Sequence, residues 1–373
     1  MSIKPKEWIN CLPEYVAGRT IEEIRKKYGL EKVYKLASNE NILGPCPEVK
    51  KLLKDAVDGI NYYPDAEAAQ IRESIAARYG IESGNVIMGN GTDQIIEMIC
   101  DCFISPGVNV VTADPNFLIY EKAALKCGGR VKKVPLIEGS FRQDIDAIIG
   151  AVDKATKIIF LASPHNPTGT IITGEEFKKL VKAVKETGRS GQGEILIVMD
   201  EAYIEYVEEK DRIDTIGYIK ENANLMTLRT FSKIFGLAGL RIGYGIASKE
   251  IISLLNKIRL PFNISLVAQR AAVAAIENYG YAKEVRDRIS AEKLKFYSVF
   301  KELGLEYIKS YANFVLVKLG NRSDEVIEKL LMKGFIIRPG INLGIPGYGR
   351  ITISAEEINE KFLSTLKEIY RSF

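Results

Sequence analysis

Between residues 80 and 250 short apolar runs alternate with helical patterns, and this alternation narrows the possible folds more than any other feature of the chain. The runs are Val86–Met88, Val108–Thr112, Lys157–Ala162, Ile195–Met199, Leu225–Leu228 and Ile242–Ile246. They are rich in β-branched residues, bounded by Gly, Pro, Asn or Asp, and lack polar alternation, which suits strands covered on both faces. Between two of them Thr173 and Glu176 have the spacing of a capping box. Phe177, Leu180, Val181 and Val184 then form the stripe of an amphipathic helix. Such alternation implies an α/β domain layered on a mostly parallel sheet.

After residue 260 the pattern changes. A charged helix is expected from Ala282 to Leu303, stopping at Gly304, then a strand at Phe314–Lys318 and a helix from Asp324 to Met332. Strands follow at Phe335–Arg338 and Arg350–Ile353. Ser354 and Glu357 have the spacing of a second capping box, opening a helix that carries Ile358, Phe362, Leu366 and Ile369. These elements read as a smaller α+β domain. The N-terminal stretch holds a helical segment, Ile21–Tyr28, and no expected strand. The expected division is an arm over 1–35 packing with the small domain, a large domain over 36–260 and a small C-terminal domain over 261–373. A chain of 373 residues, 46% of them hydrophobic, can fill two such cores.

Lys and Arg number 52 against 48 Asp and Glu, so the net charge of +4 points to neither nucleic acid nor an anionic membrane as partner. The runs Arg25-Lys26-Lys27 and Lys178-Lys179 read as solvated helix faces. No apolar stretch approaches a membrane span. The five cysteines show no framework spacing, which suits a reducing, cytoplasmic setting. His165 is the only histidine, so a zinc site built from histidines is excluded. Proton transfer then falls to Lys, Asp, Glu, Tyr or a cofactor.

Ligands of open α/β sheets bind beyond the carboxyl ends of the strands, so the residues that follow each run carry the functional reading. Gly89-Asn90-Gly91-Thr92-Asp93 turns into a helix whose N-terminal N–H groups suit a phosphate; the same turn also suits an ordinary cap. It is not a dinucleotide fingerprint, because Gln94 holds the third glycine's place. Asn166, in a loop stiffened by Pro164, Pro167 and Gly169, offers an amide to a phenolate-like oxygen. Asp200 ends a buried run and needs a cation or several hydrogen bonds, and Tyr203 can reach the same place. Lys233 lies among glycines and apolar residues that desolvate it and favour its neutral, nucleophilic form, with Arg241 eight residues on. A phosphate cradle, an amide, a carboxylate with a tyrosine, and a lysine with an arginine together meet the needs of pyridoxal 5'-phosphate.

With those residues in place, the chain resembles the fold-type I pyridoxal-phosphate aminotransferases, and within them the histidinol-phosphate aminotransferase family. The motifs are Lys35-Leu36-Ala37-Ser38-Asn39-Glu40-Asn41, Tyr62-Tyr63-Pro64-Asp65, Asn166-Pro167-Thr168-Gly169, Asp200-Glu201-Ala202-Tyr203, Ser232-Lys233 and Gly239-Leu240-Arg241, in an order and spacing that match nearly the whole chain. The resemblance implies an aspartate aminotransferase-like α/β fold. It implies that Lys233 forms the Schiff base and then moves a proton between the substrate Cα and the cofactor. By the same resemblance Asp200 pairs with the pyridinium nitrogen, and Asn166 and Tyr203 bond the cofactor's O3′. Phosphate contacts are implied for Arg241, Ser232, Thr230 and the backbone of Gly91, Thr92 and Asp93. Phe117 is implied as the aromatic stacked on the cofactor, and Tyr63 as a residue reaching the neighbouring subunit's phosphate in a homodimer with shared sites. Arg350 is implied for the substrate carboxylate, with Arg338, Asn39 and Tyr15 near the substrate.

Three positions depart from the family pattern: His165 replaces an asparagine, Ile42 a proline and Ser354 a glycine. The reaction implied is transfer of the amino group of L-histidinol phosphate to 2-oxoglutarate. An aromatic amino acid aminotransferase shares the scaffold, and a lyase resembling the threonine-phosphate decarboxylases would keep Lys233 and Asp200. A cofactor-sensing transcription regulator would need a DNA-binding domain ahead of the pattern, which begins near Leu12.

Overall fold

The computed structural model describes residues 3–12, 18–189 and 194–373. Among these, twelve strands follow in chain order: β1 (Tyr34–Leu36), β2 (Val86–Gly89), β3 (Asn109–Asp114), β4 (Arg130–Pro135), β5 (Thr156–Ala162), β6 (Leu196–Asp200), β7 (Leu225–Thr230), β8 (Gly243–Ile246), β9 (Tyr307–Ile308), β10 (Phe314–Lys318), β11 (Phe335–Pro339) and β12 (Tyr348–Thr352). They form a seven-stranded sheet in the order β2-β8-β7-β6-β5-β3-β4 and a five-stranded sheet in the order β1-β11-β12-β10-β9.

In the larger sheet only β8 runs against its neighbours; β3, β4, β5, β6 and β7 pair in parallel. The apolar runs lack polar alternation because both faces are covered. Ile159 and Leu161 of β5 join one core cluster with Ile197 and Met199 of β6, while Ile158 and Phe160 join another with Leu196 and Val198. The helix Gly174–Arg189 covers the first face through Phe177, Leu180 and Val184. Each such side chain, fully buried, is worth about 1.5–3 kcal/mol of apolar transfer. The expected capping box is formed: the Glu176 amide donates to Thr173 Oγ1 at 3.3 Å and the Thr173 amide to Glu176 Oε2 at 2.8 Å. The helix Gly91–Phe103 covers the second face through Ile95, Ile96, Ile99 and Cys100.

The smaller sheet carries the helices Gly280–Glu302 and Glu356–Arg371, which meet through the stacked rings of Phe296 and Phe362, 5.8 Å apart. The solvated faces expected at Arg25–Lys27 and Lys178–Lys179 are exposed helix surfaces.

Three expectations need correction. The stretch before residue 36 has a strand: β1 pairs in parallel with β11 from Tyr34↔Phe335 to Leu36↔Ile337. Three residues carry no period, and the partner lies some three hundred positions away. β4 was not expected either, because Arg130-Val131-Lys132-Lys133 reads as polar; it is an edge strand, where charge is tolerated. Finally, Ser354 and Glu357 form no capping box. Ala355 is the N-cap of Glu356–Arg371, the Ser354 hydroxyl has no partner among the described residues, and Glu357 pairs with Lys361. Asn359 closes the turn instead, accepting from the Ser354 amide at 2.9 Å and donating to the Ser354 carbonyl at 2.8 Å.

Candidate active site

β4 and β5 flank β3 on opposite sides, so the strand order reverses there, and a crevice opens at the carboxyl ends of the parallel strands. A cavity of about 850 Å³ occupies this position. It is walled by the ends of β3, β5, β6 and β7, the start of the helix Gly91–Phe103, and Arg338 and Arg350 of the smaller sheet.

The turn after β7 places Lys233 in the cavity wall, where its Nζ donates to the Ser38 carbonyl at 3.1 Å and lies 5.6 Å from the Tyr203 ring. Lys233 is half-buried rather than sealed in apolar surroundings, so its amine faces the open space of the site. The turn is held from within: Thr230 Oγ1 accepts from the Ser232 amide at 3.0 Å.

Asp200 closes β6 and is 5% exposed. Its two oxygens accept from the Tyr120 hydroxyl at 2.7 Å and from the Ala202 amide at 3.0 Å. Among the described residues no cationic side chain pairs with it. Burial lifts its carboxyl to about 6 against the pull of those two bonds. Tyr203 is buried beside it; its hydroxyl accepts from Asn39 Nδ2 at 2.9 Å and its ring meets Phe314 edge-on. Asn39 has a left-handed backbone, φ 58°, fixed by its own amide donating to Thr352 Oγ1 at 2.9 Å.

The helix Gly91–Phe103 has no side-chain cap; its Gly91 amide donates to the Arg241 carbonyl at 3.0 Å, and the Thr92 and Asp93 amides that follow are left open to an anion. Gly91, at φ 71°, allows this: a Cβ there would stand 2.5 Å from Arg241 Nη2. Arg241 reaches the same helix start, donating to Asp93 Oδ2 at 3.1 Å and to Ser232 Oγ at 3.4 Å. Thr92 lies in the wall beside Asp93, whose carboxyl burial raises even next to Arg241.

Asn166 lies in the loop after β5, and its Oδ1 accepts from Arg350 Nη1, so its Nδ2 remains a free donor for the cavity. Arg350 stands in the middle of β12, not at its start, and is buried; its Nη2 donates to the Ala37 carbonyl at 2.7 Å and its Nε has no partner among the described residues. Burial, with Arg338 nearby, draws its pKa down to about 10. Arg338 faces Arg350 across the β11–β12 register and forms no ion pair among the described residues. Phe117 caps the helix Leu118–Lys126 at the cavity edge.

One expected residue is not brought there. Tyr63 is 81% exposed, stacked on Phe262 with centroids 4.6 Å apart, and does not line the cavity. Tyr15 lies outside the described residues. His165 is fully buried behind Asn166; its Nδ1 pairs with Thr168 Oγ1 at 2.8 Å, and burial depresses its pKa to about 3, so it stays neutral. Tyr120 was missed in the sequence. Its position three residues after Phe117, on one helix face, was the available signal.

Residues 31–366 match the family described as aminotransferase class I and II. Histidinol-phosphate aminotransferase of Moorella thermoacetica is 42% identical over 98% of this chain and 93% of its own length. The enzyme of the same name from Caldicellulosiruptor saccharolyticus is 40% identical over 98% of this chain and 99% of its own. The structure also superposes on the Sinorhizobium meliloti histidinol-phosphate aminotransferase, solved in complex with pyridoxal-5'-phosphate, with a TM-score of 0.88 and 27% identity over 99% of this chain and 98% of that one. This chain therefore belongs to the class I and II aminotransferases, with the aspartate aminotransferase-like α/β fold, and within them to the histidinol-phosphate aminotransferase family.

Proposed function

We propose that the protein binds pyridoxal 5'-phosphate in this cavity and transfers the amino group of L-histidinol phosphate to 2-oxoglutarate, giving imidazole acetol phosphate and glutamate. One observation carries the reading: an amine, a buried carboxyl with no cationic partner among the described residues, a helix start without a side-chain cap and two arginines converge on a single cavity. The cofactor fits that set. Asp200 has no cationic partner among the described residues, which suits a pyridinium nitrogen, and the open amides of Thr92 and Asp93 lie beside Arg241 and Ser232, a donor set that suits a phosphate.

When bound, the cofactor supplies an aldehyde for an amine and an electron sink for the bonds at the substrate Cα. The chain's own residues do the rest. Asp200 would hold the proton of the ring nitrogen by its negative charge. Asn166 Nδ2 and the Tyr203 hydroxyl would offer donors to the cofactor's phenolic oxygen. The amides of Thr92 and Asp93, with Ser232 and Arg241, would hold the phosphate, and Thr230 holds the turn that presents Ser232. Phe117 supports the ring face. The Lys233 amine, held only lightly by the Ser38 carbonyl, removes the proton at the substrate Cα and returns it. Arg350 and Arg338 bind the anionic end of either substrate, the guanidinium fork matching carboxylate and phosphate alike.

We also propose a homodimer acting in a reducing cytoplasm. Tyr62, Tyr63, Leu260 and Phe262 are all exposed, which suits a surface that meets a second copy and lends Tyr63 to its site. Four free thiols among the described residues suit the compartment.

The test is a half-reaction screen. The cofactor-loaded protein is mixed in turn with histidinol phosphate, phenylalanine, tyrosine, aspartate and glutamate, and the visible absorbance of the bound cofactor is followed. Histidinol phosphate and glutamate are expected to change it. No change with histidinol phosphate refutes the substrate, and a change with phenylalanine and tyrosine instead assigns an aromatic amino acid aminotransferase.

A further inference from the structure

We propose that Tyr120 is a positioning residue: its hydroxyl keeps Asp200 ionised and aimed, so that the proton between Asp200 and a pyridine nitrogen stays on the nitrogen. The inference rests on the pyridoxal phosphate reading above and adds a residue to it.

Tyr120 lies in the first turn of the helix Leu118–Lys126, fully buried. Its ring stacks on Phe160 of β5, centroids 4.9 Å apart and planes within 2°, and meets Phe117 edge-on at 5.6 Å. Its hydroxyl donates to Asp200 Oδ2 at 2.7 Å. A single helix thus presents both the cavity-edge aromatic Phe117 and the donor that governs the carboxyl.

Asp200 has little else. Its second oxygen takes the Ala202 amide, and burial works against the charge. A carboxylate that accepts two hydrogen bonds is a weaker base than one that accepts one. With Tyr120 in place, a proton shared with a ring nitrogen therefore lies on the nitrogen side, and the ring keeps the positive charge that makes it an electron sink. Without the hydroxyl the buried carboxylate gains proton affinity, the proton moves toward Oδ2, and the ring loses charge. The phenol itself does not ionise in exchange, because burial and the adjacent carboxylate push its pKa well above the usual value. It remains a donor throughout the working pH range.

Tyr120→Phe keeps the ring and the stack and deletes only the hydroxyl. The wild type and the variant are loaded with pyridoxal phosphate isotopically labelled at the ring nitrogen, and the nitrogen NMR shift is read before any substrate is added. The wild type is expected to show a protonated nitrogen and the variant a shift toward the neutral form. The rate constant of the donor half-reaction is expected to fall about tenfold with little change in KM, the size of one hydrogen bond to a charged group. Phe160→Leu removes the stacking ring and leaves the hydroxyl, and its ring nitrogen is expected to stay protonated. Identical nitrogen shifts in wild type and Tyr120→Phe overturn the proposal. So does a Phe160→Leu protein that reproduces the loss of the nitrogen proton, because packing would then be the cause. If Tyr120→Phe does not fold, Tyr120→Leu, which also lacks the hydroxyl, is read in its place on the same criterion. A wild type that takes up no labelled cofactor overturns both this inference and the reading beneath it, whereas a loaded wild type with an unresponsive variant overturns this inference alone.

Discussion

Arg350 donates through Nη1 to the side-chain oxygen of Asn166, a hydrogen bond that ties β12 of the smaller sheet to the loop after β5 in the larger one. The bond fixes which way the Asn166 amide points: with Oδ1 engaged, Nδ2 is left for the cavity. It also spends one arm of the guanidinium, a second arm holds the Ala37 carbonyl, and Nε is buried without a partner among the described residues. An Arg so placed is half structural and half open to an anion.

Arg350→Lys tests that division. A lysine brings one point charge and cannot span Ala37 and Asn166 at once. The KM for 2-oxoglutarate is expected to rise by roughly tenfold or more, with a smaller fall in kcat. Steady-state kinetics at varied 2-oxo acid check this, and an unchanged KM removes Arg350 from substrate binding.

Lys233→Ala is expected to lower turnover by roughly a thousandfold or more, because no other amine replaces it. Borohydride treatment of the loaded wild type followed by peptide mapping should place the cofactor on Lys233 and nowhere else. Lys179 is an exposed lysine paired with Asp146, and Lys179→Ala should stay near wild type. Equal activity in the two variants refutes the assignment.

His165 predicts an acid sensitivity. Its folded pKa of about 3 lies below the ordinary 6.5, so between those values the unfolded chain binds a proton that the fold refuses. Stability contributed by the neutral ring is whole above 6.5 and falls as pH drops toward 3, by up to about 1.4 kcal/mol per pH unit. His165→Asn, which removes the titration, should show a shallower loss of urea resistance between pH 6.5 and 4. Parallel curves would show that the ring does not titrate on unfolding.

Glu205 predicts the opposite sign. Burial lifts its carboxyl to about 7 from 4.5 against the pull of Arg229, and its Oε1 has no partner. Above pH 7 the fold carries an ionised buried carboxylate at a cost, and as pH falls from 7 to 4.5 the folded protein takes the proton and the cost disappears. Glu205→Gln is expected to stabilise the protein at pH 8, by up to about 3 kcal/mol, and to do little near pH 4.5. Urea melts at the two pH values decide; equal gains at both would mean that charge is not involved.

Much of this was legible beforehand because it is local or strongly patterned. The doubly covered strands β5, β6 and β7 announce themselves as apolar runs, and the residues at their ends follow from the rule that ligands meet the carboxyl edge. Lys233, Asp200, Asn166 and Arg241 were found in that way, and the sheet order brings all four to one cavity. Ser354 failed because Asn359, five residues on, supplied a better partner than Glu357.

The sequence by itself determined the layering of the larger sheet, the strand ends that carry chemistry and the family, since these depend on hydrophobic period and on side-chain types in order. Only the tertiary structure decided the three-residue pairing of β1 with β11, the hold of Arg350 on Asn166, and the bond from Tyr120 to Asp200. Each joins residues tens to hundreds of positions apart. Its existence depends on the packing of whole elements and on burial, and neither leaves a period in the chain for a reader of sequence to find.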